Sequence, residues 1–208
     1  MTDRITLFGP APSSYVRTAR MICVEKHVEH SLEPVDLGSP AHRALHPFAR
    51  VPILRHASLQ LFETQAIARY LERIGSGPSL VPTAAGAEAV AEQWISALNC
   101  YLYGDLIKSY ALAQYILPQL QGRAVDAEGV KASLPALERG VALVDNAYDK
   151  AKWLAGSEIS LADLFWGPVL STLEMCPEGG QLITDSKNLR RVLDQLSERP
   201  SARFLRVG

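Results

Sequence analysis

The sequence predicts two domains of different construction, an α/β unit over residues 1–76 and an all-α helical bundle over 87–208, joined by a linker at 77–86. Three observations predict this. Up to Ser76 the hydrophobic period changes every ten or so positions, between the two-residue alternation of strands and the three-and-four spacing of helices. Beyond Gly86 every apolar stripe has the helical period. Between them Gly77, Pro78 and Pro82 interrupt both patterns. A length of 208 residues suits one large domain or two small ones.

The elements follow in order. Ile5 and Leu7 alternate with Thr6 and Phe8 as a short strand, which Gly9-Pro10-Ala11-Pro12 ends. From Ser13, Val16, Ala19, Cys23 and Lys26 repeat at three and four, a helix with a serine at its mouth. Leu32–Leu37 reads as extended, and Pro34 makes it an edge strand. A polar stretch opens at Gly38-Ser39-Pro40 and runs to Pro47. Val51–Leu54 and Ser58–Phe62 are apolar runs around a short polar turn, a hairpin. Ile67, Tyr70, Leu71 and Ile74 form a helical stripe stopped by Gly75. The order is βαβαββα, with a mixed sheet.

In the second half no proline lies between Pro82 and Pro118, which leaves room for a helix of about seven or eight turns. Val130, Leu134, Leu137, Val141, Val144 and Tyr148 make a bundle stripe in which Pro135 is a kink or a first turn. Two further stripes run through Leu161, Leu164, Phe165 and Val169, and through Leu189, Val192, Leu193 and Leu196.

Composition narrows the function classes. Net charge is −1, with 48% hydrophobic and 21% charged residues, so the chain is globular and carries no overall basic excess for nucleic acid or an anionic membrane. No window approaches about eighteen uninterrupted apolar residues, and Met1-Thr2-Asp3-Arg4 opens no secretory signal. Cys23, Cys100 and Cys176 are scattered without a C-x-x-C, which points to a reducing, cytoplasmic setting. All five histidines fall before Ala57. His27-x-x-His30 and His42-x-x-x-His46 lack the four-ligand set of a structural metal site, so no metal is expected, and the histidines are expected to face solvent.

Three places carry candidate chemistry. Ser13 at a helix start is a plain N-cap or, with the same geometry, a hydroxyl in the positive end of the helix dipole that can donate to a thiolate. Ser14 and Tyr15 are neighbours able to take that role. Val51-Pro52 stands where a cis bond is expected, and the proline can leave the Val51 backbone open to pair with an extended peptide. An ordinary edge-strand proline is the other reading. Glu63-Thr64 opens the third helix, either as a cap or as a site in which free N–H groups and the Thr64 hydroxyl bind a carboxylate while Glu63 binds an adjacent ammonium.

The segments Leu7-Phe8-Gly9, Ser13-x-x-x-Arg17, His46-Pro47-Phe48-Ala49-Arg50-Val51-Pro52 and Leu61-Phe62-Glu63-Thr64-x-Ala66-Ile67-x-x-Tyr70-Leu71 together resemble the N-terminal domain of the glutathione transferases. Leu154–Asp163 is similar to that family's buried capping-box segment, in which Ser160 and Asp163 satisfy donors at a helix start. The match runs in order along nearly the whole chain.

The resemblance implies a thioredoxin-like domain followed by an all-helical one, usually in a homodimer, with glutathione as co-substrate. It implies conjugation of the glutathione thiolate to hydrophobic electrophiles. By position, Ser13 would stabilise the thiolate, Arg50, Val51 and Pro52 would hold the cysteinyl-glycine part, and Glu63 and Thr64 the γ-glutamyl head. In the stretch before Pro47, His42 is a further candidate for binding glutathione. Tyr103, Leu106 and Tyr110, within a few turns of the long helix, would line the electrophile pocket; core packing explains the same stripe.

Departures from the family pattern are His46 and Ala49, where Asn-Pro-x-Gly is commoner, Arg50 for Gln, Lys or Asn, and Thr64 for Ser. Ala49 restricts a loop that glycine would leave free. Two rival activities fit the same scaffold. A glutathione-dependent isomerase or dehalogenase would keep Val51, Glu63 and Thr64, and a non-catalytic interaction module would need neither Ser13 nor Glu63-Thr64.

Overall fold

The computed structural model describes residues 4–207, with side chains omitted at Leu120 and Gln121; the Met1-Thr2-Asp3 segment read for a leader lies outside the described residues. The chain divides into two compact units. One comprises Met1–Val81 together with Ser197–Gly208, the other Pro82–Leu196.

The first unit holds a four-stranded sheet in the order β2-β1-β3-β4, from β1 (Ile5–Phe8), β2 (His30–Glu33), β3 (Ile53–His56) and β4 (Leu59–Phe62). β1 and β2 are parallel, while β1–β3 and β3–β4 are antiparallel. Leu7 pairs with Leu32 on one side and Leu54 on the other, and Leu7, Ile53 and Leu54 are fully buried. The helices are α1 (Ser14–Glu25), α2 (Pro40–Leu45) and α3 (Thr64–Ile74), so the expected βαβαββα order is present, in a thioredoxin-like arrangement. α1 and α3 pack on each other through fully buried residues such as Val16, Ile22, Ile67 and Leu71.

Two details differ from the sequence expectation. β2 ends at Glu33 instead of running to Leu37, because Pro34 has no N–H to continue the ladder with β1. Residues 197–208 belong with the first unit, not with the helical domain. Polar ties explain the second. Arg199 donates twice to the Glu25 carboxylate, at 3.1 and 2.7 Å, Ser201 donates to the same group, and Arg17 donates to the Leu205 carbonyl. Helical periodicity carries no information about such side-chain bonds.

The second unit is wholly helical apart from a single bridge between Trp153 and Gly156. α4 (Ala85–Ala97) continues through π-type turns at Leu98–Leu102 and Gly104–Ile116 into α5 (Leu117–Gln121). Leu98, Leu102, Leu106 and Tyr110 are buried at strict four-residue steps, the longer repeat that wider winding produces. α6 (Ala127–Asp149) carries Pro135 inside it. Gly140 of α6 allows close approach, since a Cβ there would lie 2.9 Å from Leu106 Cδ2. α7 (Leu161–Glu174), α8 (Pro177–Asp185) and α9 (Lys187–Ser197) complete the bundle. At the start of α7 the buried Asp163 carboxylate accepts from the Ser160 N–H and hydroxyl, both at 2.8 Å, the Leu154 N–H at 3.0 Å and the Tyr148 hydroxyl at 3.1 Å.

Candidate functional site

Strand register brings the three candidate segments of the first unit to one end of the sheet. Phe8 pairs with Ile53, and Ile53 with Phe62. One residue further along each strand come Gly9, Pro52 and Glu63, which therefore stand side by side. Gly9 is where the pieces meet: its φ is +144°, and a Cβ there would lie 2.7 Å from Val16 of α1 and 3.0 Å from Val51. No other residue allows the end of β1 to pass so close to both.

Ser13 is the N-cap of α1. Its Oγ accepts from the Val16 N–H at 3.5 Å, a long bond, and its carbonyl takes the Arg17 N–H at 2.9 Å. Accepting leaves the hydroxyl proton available, and it has no acceptor among the described residues. The side chain is half-buried and adjoins the positive end of α1. Ser14 is buried at 5% exposure, and both Ser14 and Tyr15 interact with other groups of the protein.

The Val51-Pro52 peptide bond is cis. β3 begins only at Ile53, and the Val51 N–H and C=O are not engaged by any described group. The loop before it is braced by a histidine. The Gly38 N–H donates to His42 Nδ1 at 3.0 Å, and His42 Nε2 lies 3.0 Å from the Arg50 carbonyl. A ring that accepts at Nδ1 carries its proton at Nε2, so the neutral tautomer donates to Arg50. The Arg50 side chain itself is exposed.

His46 is buried and accepts from the Phe48 N–H at 3.2 Å; its ring lies 4.9 Å from that of Phe62. Burial holds its pKa below the usual imidazole value against the opposing pull of Glu63, with His42 and Arg50 adding to the depression. The solvent-facing expectation therefore fails for His42 and His46, at 0% and 1% exposure. Each ring is buried while its polar atoms bond backbone groups of the surrounding loop: Gly38 and Arg50 for His42, Phe48 for His46. Ala49 stands in the left-handed region at φ +48°, the position where glycine is commoner in the family pattern.

Glu63 precedes α3 with φ +69°, a costly conformation for a non-glycine residue. It makes no side-chain cap bond, so its exposed carboxylate is not spent on the helix start. Thr64 follows, buried at 7% exposure. Strain of this kind is tolerated where surrounding structure enforces it, and it clusters at ligand sites.

The residues expected to face an electrophile separate by burial. Leu106 and Tyr110 are fully buried inside the helical unit. The Tyr110 hydroxyl donates to Glu178 at 2.9 Å and accepts from the Gly179 N–H at 2.8 Å, so it is occupied in tying the long helix to α8. Tyr103 lies one residue off the four-residue stripe and is half-buried, while Tyr101 is 73% exposed. Among the described residues, no group of three or more His, Cys, Asp or Glu side chains is placed to hold a metal ion.

Sequence reasoning missed Gly9 as the contact point of three segments and His42 as the brace of the Arg50 loop. The signal for Gly9 was present, as a glycine ending a strand before a helix. For His42 none was, because its partners lie four and eight residues away in a loop without period.

A mixed four-stranded sheet with a serine at the mouth of α1, a cis-proline turn and a strained acid before α3, followed by a helical domain, makes this a two-domain protein on a thioredoxin-like scaffold. The comparisons narrow this further. Residues 7–79 match the glutathione S-transferase N-terminal domain, and residues 88–195 the glutathione S-transferase C-terminal domain. The chain is 31% identical to glutathione S-transferase 3 of Zea mays over 167 residues, covering 76% of this chain and 73% of the relative. Among solved structures, glutathione S-transferase III in apo form aligns with a TM-score of 0.86 at 26% identity, covering 97% of this chain and 95% of that one. Glutathione S-transferase-I bound with lactoylglutathione aligns with a TM-score of 0.84 at 25% identity, covering 97% and 98%. The chain belongs to the glutathione S-transferase family.

Proposed function

We propose that this protein is a glutathione transferase in which Ser13 activates the thiol of glutathione for attack on a hydrophobic small-molecule electrophile. The observation that carries the reading is the convergence at one sheet end of three complementary groups: the Ser13 hydroxyl proton, the open Val51 backbone and the uncapped Glu63-Thr64 helix start. Together they suit a tripeptide with a charged head, an extended middle and a sulfur.

Each group has a task. Glu63 attracts the ammonium of the γ-glutamyl head, while Thr64 and the first N–H groups of α3 receive its carboxylate. The Val51 N–H and C=O pair with the cysteinyl part as a short added strand beside Pro52. Arg50, held by His42, offers its guanidinium to the glycyl carboxylate. The thiol gives its proton to solvent, and the Ser13 hydroxyl donates to the thiolate in the positive field of α1. The thiolate then attacks an electrophilic carbon; an S–C bond forms and the leaving group departs with its electron pair. Holding both reactants together supplies a large part of the acceleration. Of the three residues assigned to the electrophile, Tyr103 alone keeps a half-exposed side chain; Leu106 and Tyr110 lie in the core of the helical unit.

The reading extends to a homodimer in a reducing, cytoplasmic setting. Phe48 is 67% exposed and Phe62 is 37% exposed, their ring centroids are 6.4 Å apart, and His46 adjoins both. A neighbouring aromatic pair left in water favours association. All three cysteines are free, as reducing conditions require. The test is retention on immobilised glutathione followed by conjugation of an aryl halide. Retention with turnover supports the proposal. Retention without turnover moves the protein to an isomerase, a dehalogenase or an interaction module, and no retention leaves the module. Light scattering of Phe48→Ser against wild type tests the dimer, which predicts a shift to monomer.

A further inference from the structure

The first unit carries a half-open cavity of about 210 Å³, bounded by the loop before α1, α1 itself and the last residues of the chain. Pro12, Arg17, Arg20, Arg203, Phe204 and Arg206 line it. The Arg20 guanidinium lies 3.8 Å from the Phe204 ring centroid and that of Arg203 4.9 Å from the same ring, with the His30 ring edge-on at 5.9 Å. Two cations therefore share one aromatic ring. Arg20 Nε is buried without a hydrogen bond, and neither Arg20 nor Arg203 has an ion pair among the described residues. The ion pairs described in this unit take Glu72 to Lys26 and Glu25 to Arg199.

The sequence of this unit carries an excess of positive charge. Residues 1–81 and 197–208 hold twelve Lys/Arg against eight Asp/Glu, a net +4, whereas residues 1–76 alone give +2. Arg20 is pulled below its ordinary value by burial and by Arg203. His30 is likewise lowered, first by burial and then by Arg20, Arg203 and Arg4, against a raising bond to the Val28 carbonyl. Clustered guanidiniums with no carboxylate among them are relaxed by an anion, and their planar forks match the oxygens of a phosphoryl group.

We propose that this cavity binds a phosphoryl dianion, as free phosphate or a phosphate monoester, through the Arg20 and Arg203 guanidiniums, separately from the Ser13 site. Two forks suit a doubly charged group better than a single carboxylate, and a cavity of this volume suits a small molecule.

The experiment uses the full chain in phosphate-free buffer. Titration calorimetry and thermal melts are run with inorganic phosphate, adenosine monophosphate, adenosine, and chloride at matched ionic strength. Saturable stabilisation by phosphate or the monophosphate, absent with adenosine and chloride, is expected; tighter binding of one assigns the source. Arg20→Gln or Arg203→Gln weakens binding about tenfold or more, since each removes a charged hydrogen-bond donor. Arg203→Lys keeps part of it, and retention on immobilised glutathione stays unchanged in all three. Arg203 is exposed, so its variants fold even if Arg20→Gln does not. The proposal is overturned if phosphate and the monophosphate act no differently from chloride. It is overturned equally if Arg203→Gln leaves their affinity intact.

Discussion

Ser13 is both a helix cap and the proposed thiolate donor, and one pair of substitutions separates the roles. Ser13→Ala removes both. The cap bond is long, 3.5 Å, so its loss belongs at the low end of capping effects, about 0.5–1 kcal/mol. Removing a hydrogen bond to a charged sulfur costs about 1.5–3 kcal/mol, or one to two pKa units on the bound thiol. Ser13→Asp keeps the cap, because Asp ranks with Ser at that position. It also sets a carboxylate beside the thiolate. Two like charges about 4 Å apart repel by about 4 kcal/mol at the effective dielectric of a protein surface, less where solvent screens the half-buried position. Stability should therefore fall slightly in Ser13→Ala and hold in Ser13→Asp, while the pKa of bound glutathione rises in both and more in Asp. The assay is near-ultraviolet titration of the bound thiolate, with conjugation rates at fixed pH and urea melts of each variant. A folded Ser13→Asp enzyme with wild-type rate and thiol titration would leave Ser13 a cap and nothing more, and refute the mechanism.

Other outcomes follow from the same structure. His42→Ala removes the brace on the Arg50 carbonyl and the acceptor of the Gly38 N–H, and empties a fully buried position, so glutathione affinity should fall several-fold and stability by about 1–3 kcal/mol; calorimetry with unchanged affinity would detach that loop from binding. Ala49→Gly relieves a φ of +48° and should stabilise by up to about 1 kcal/mol in urea melts, the strain relief being partly offset by the entropy of an unfolded glycine. Burial raises the pKa of Glu25, but hydrogen bonds from Arg199 and Ser201 outweigh it and hold the carboxyl below its ordinary value. Its contribution to stability is then full above the unfolded Glu value and lost as pH falls through the folded one. Arg199→Ala should cost about 2–3 kcal/mol near neutral pH and flatten that acid-side decline; an equally steep decline in the variant would contradict the assignment.

Much of this was legible from pattern alone. The two periods set the domain types, Pro34 marked an edge strand, and Ser13, Val51-Pro52 and Glu63-Thr64 stood out as a helix mouth, a cis-proline turn and a helix start. Local chemistry decides such features: a cap residue, a missing N–H, an apolar repeat. What those rules could not supply was neighbourhood. The meeting of Gly9, Pro52 and Glu63 depends on strand pairing between segments tens of residues apart, and His42 finds the Arg50 carbonyl only once the loop has closed. Glu25 holds the chain's last residues against α1 across 174 positions, which no repeat in the sequence records. The burial of Leu106 and Tyr110 turned on a helix wound more widely than the 3.6-residue spacing used to read it. Elements are written in the sequence because backbone preferences act over a few residues; the site was decided by tertiary structure, because charge, strain and hydrogen bonding act through space.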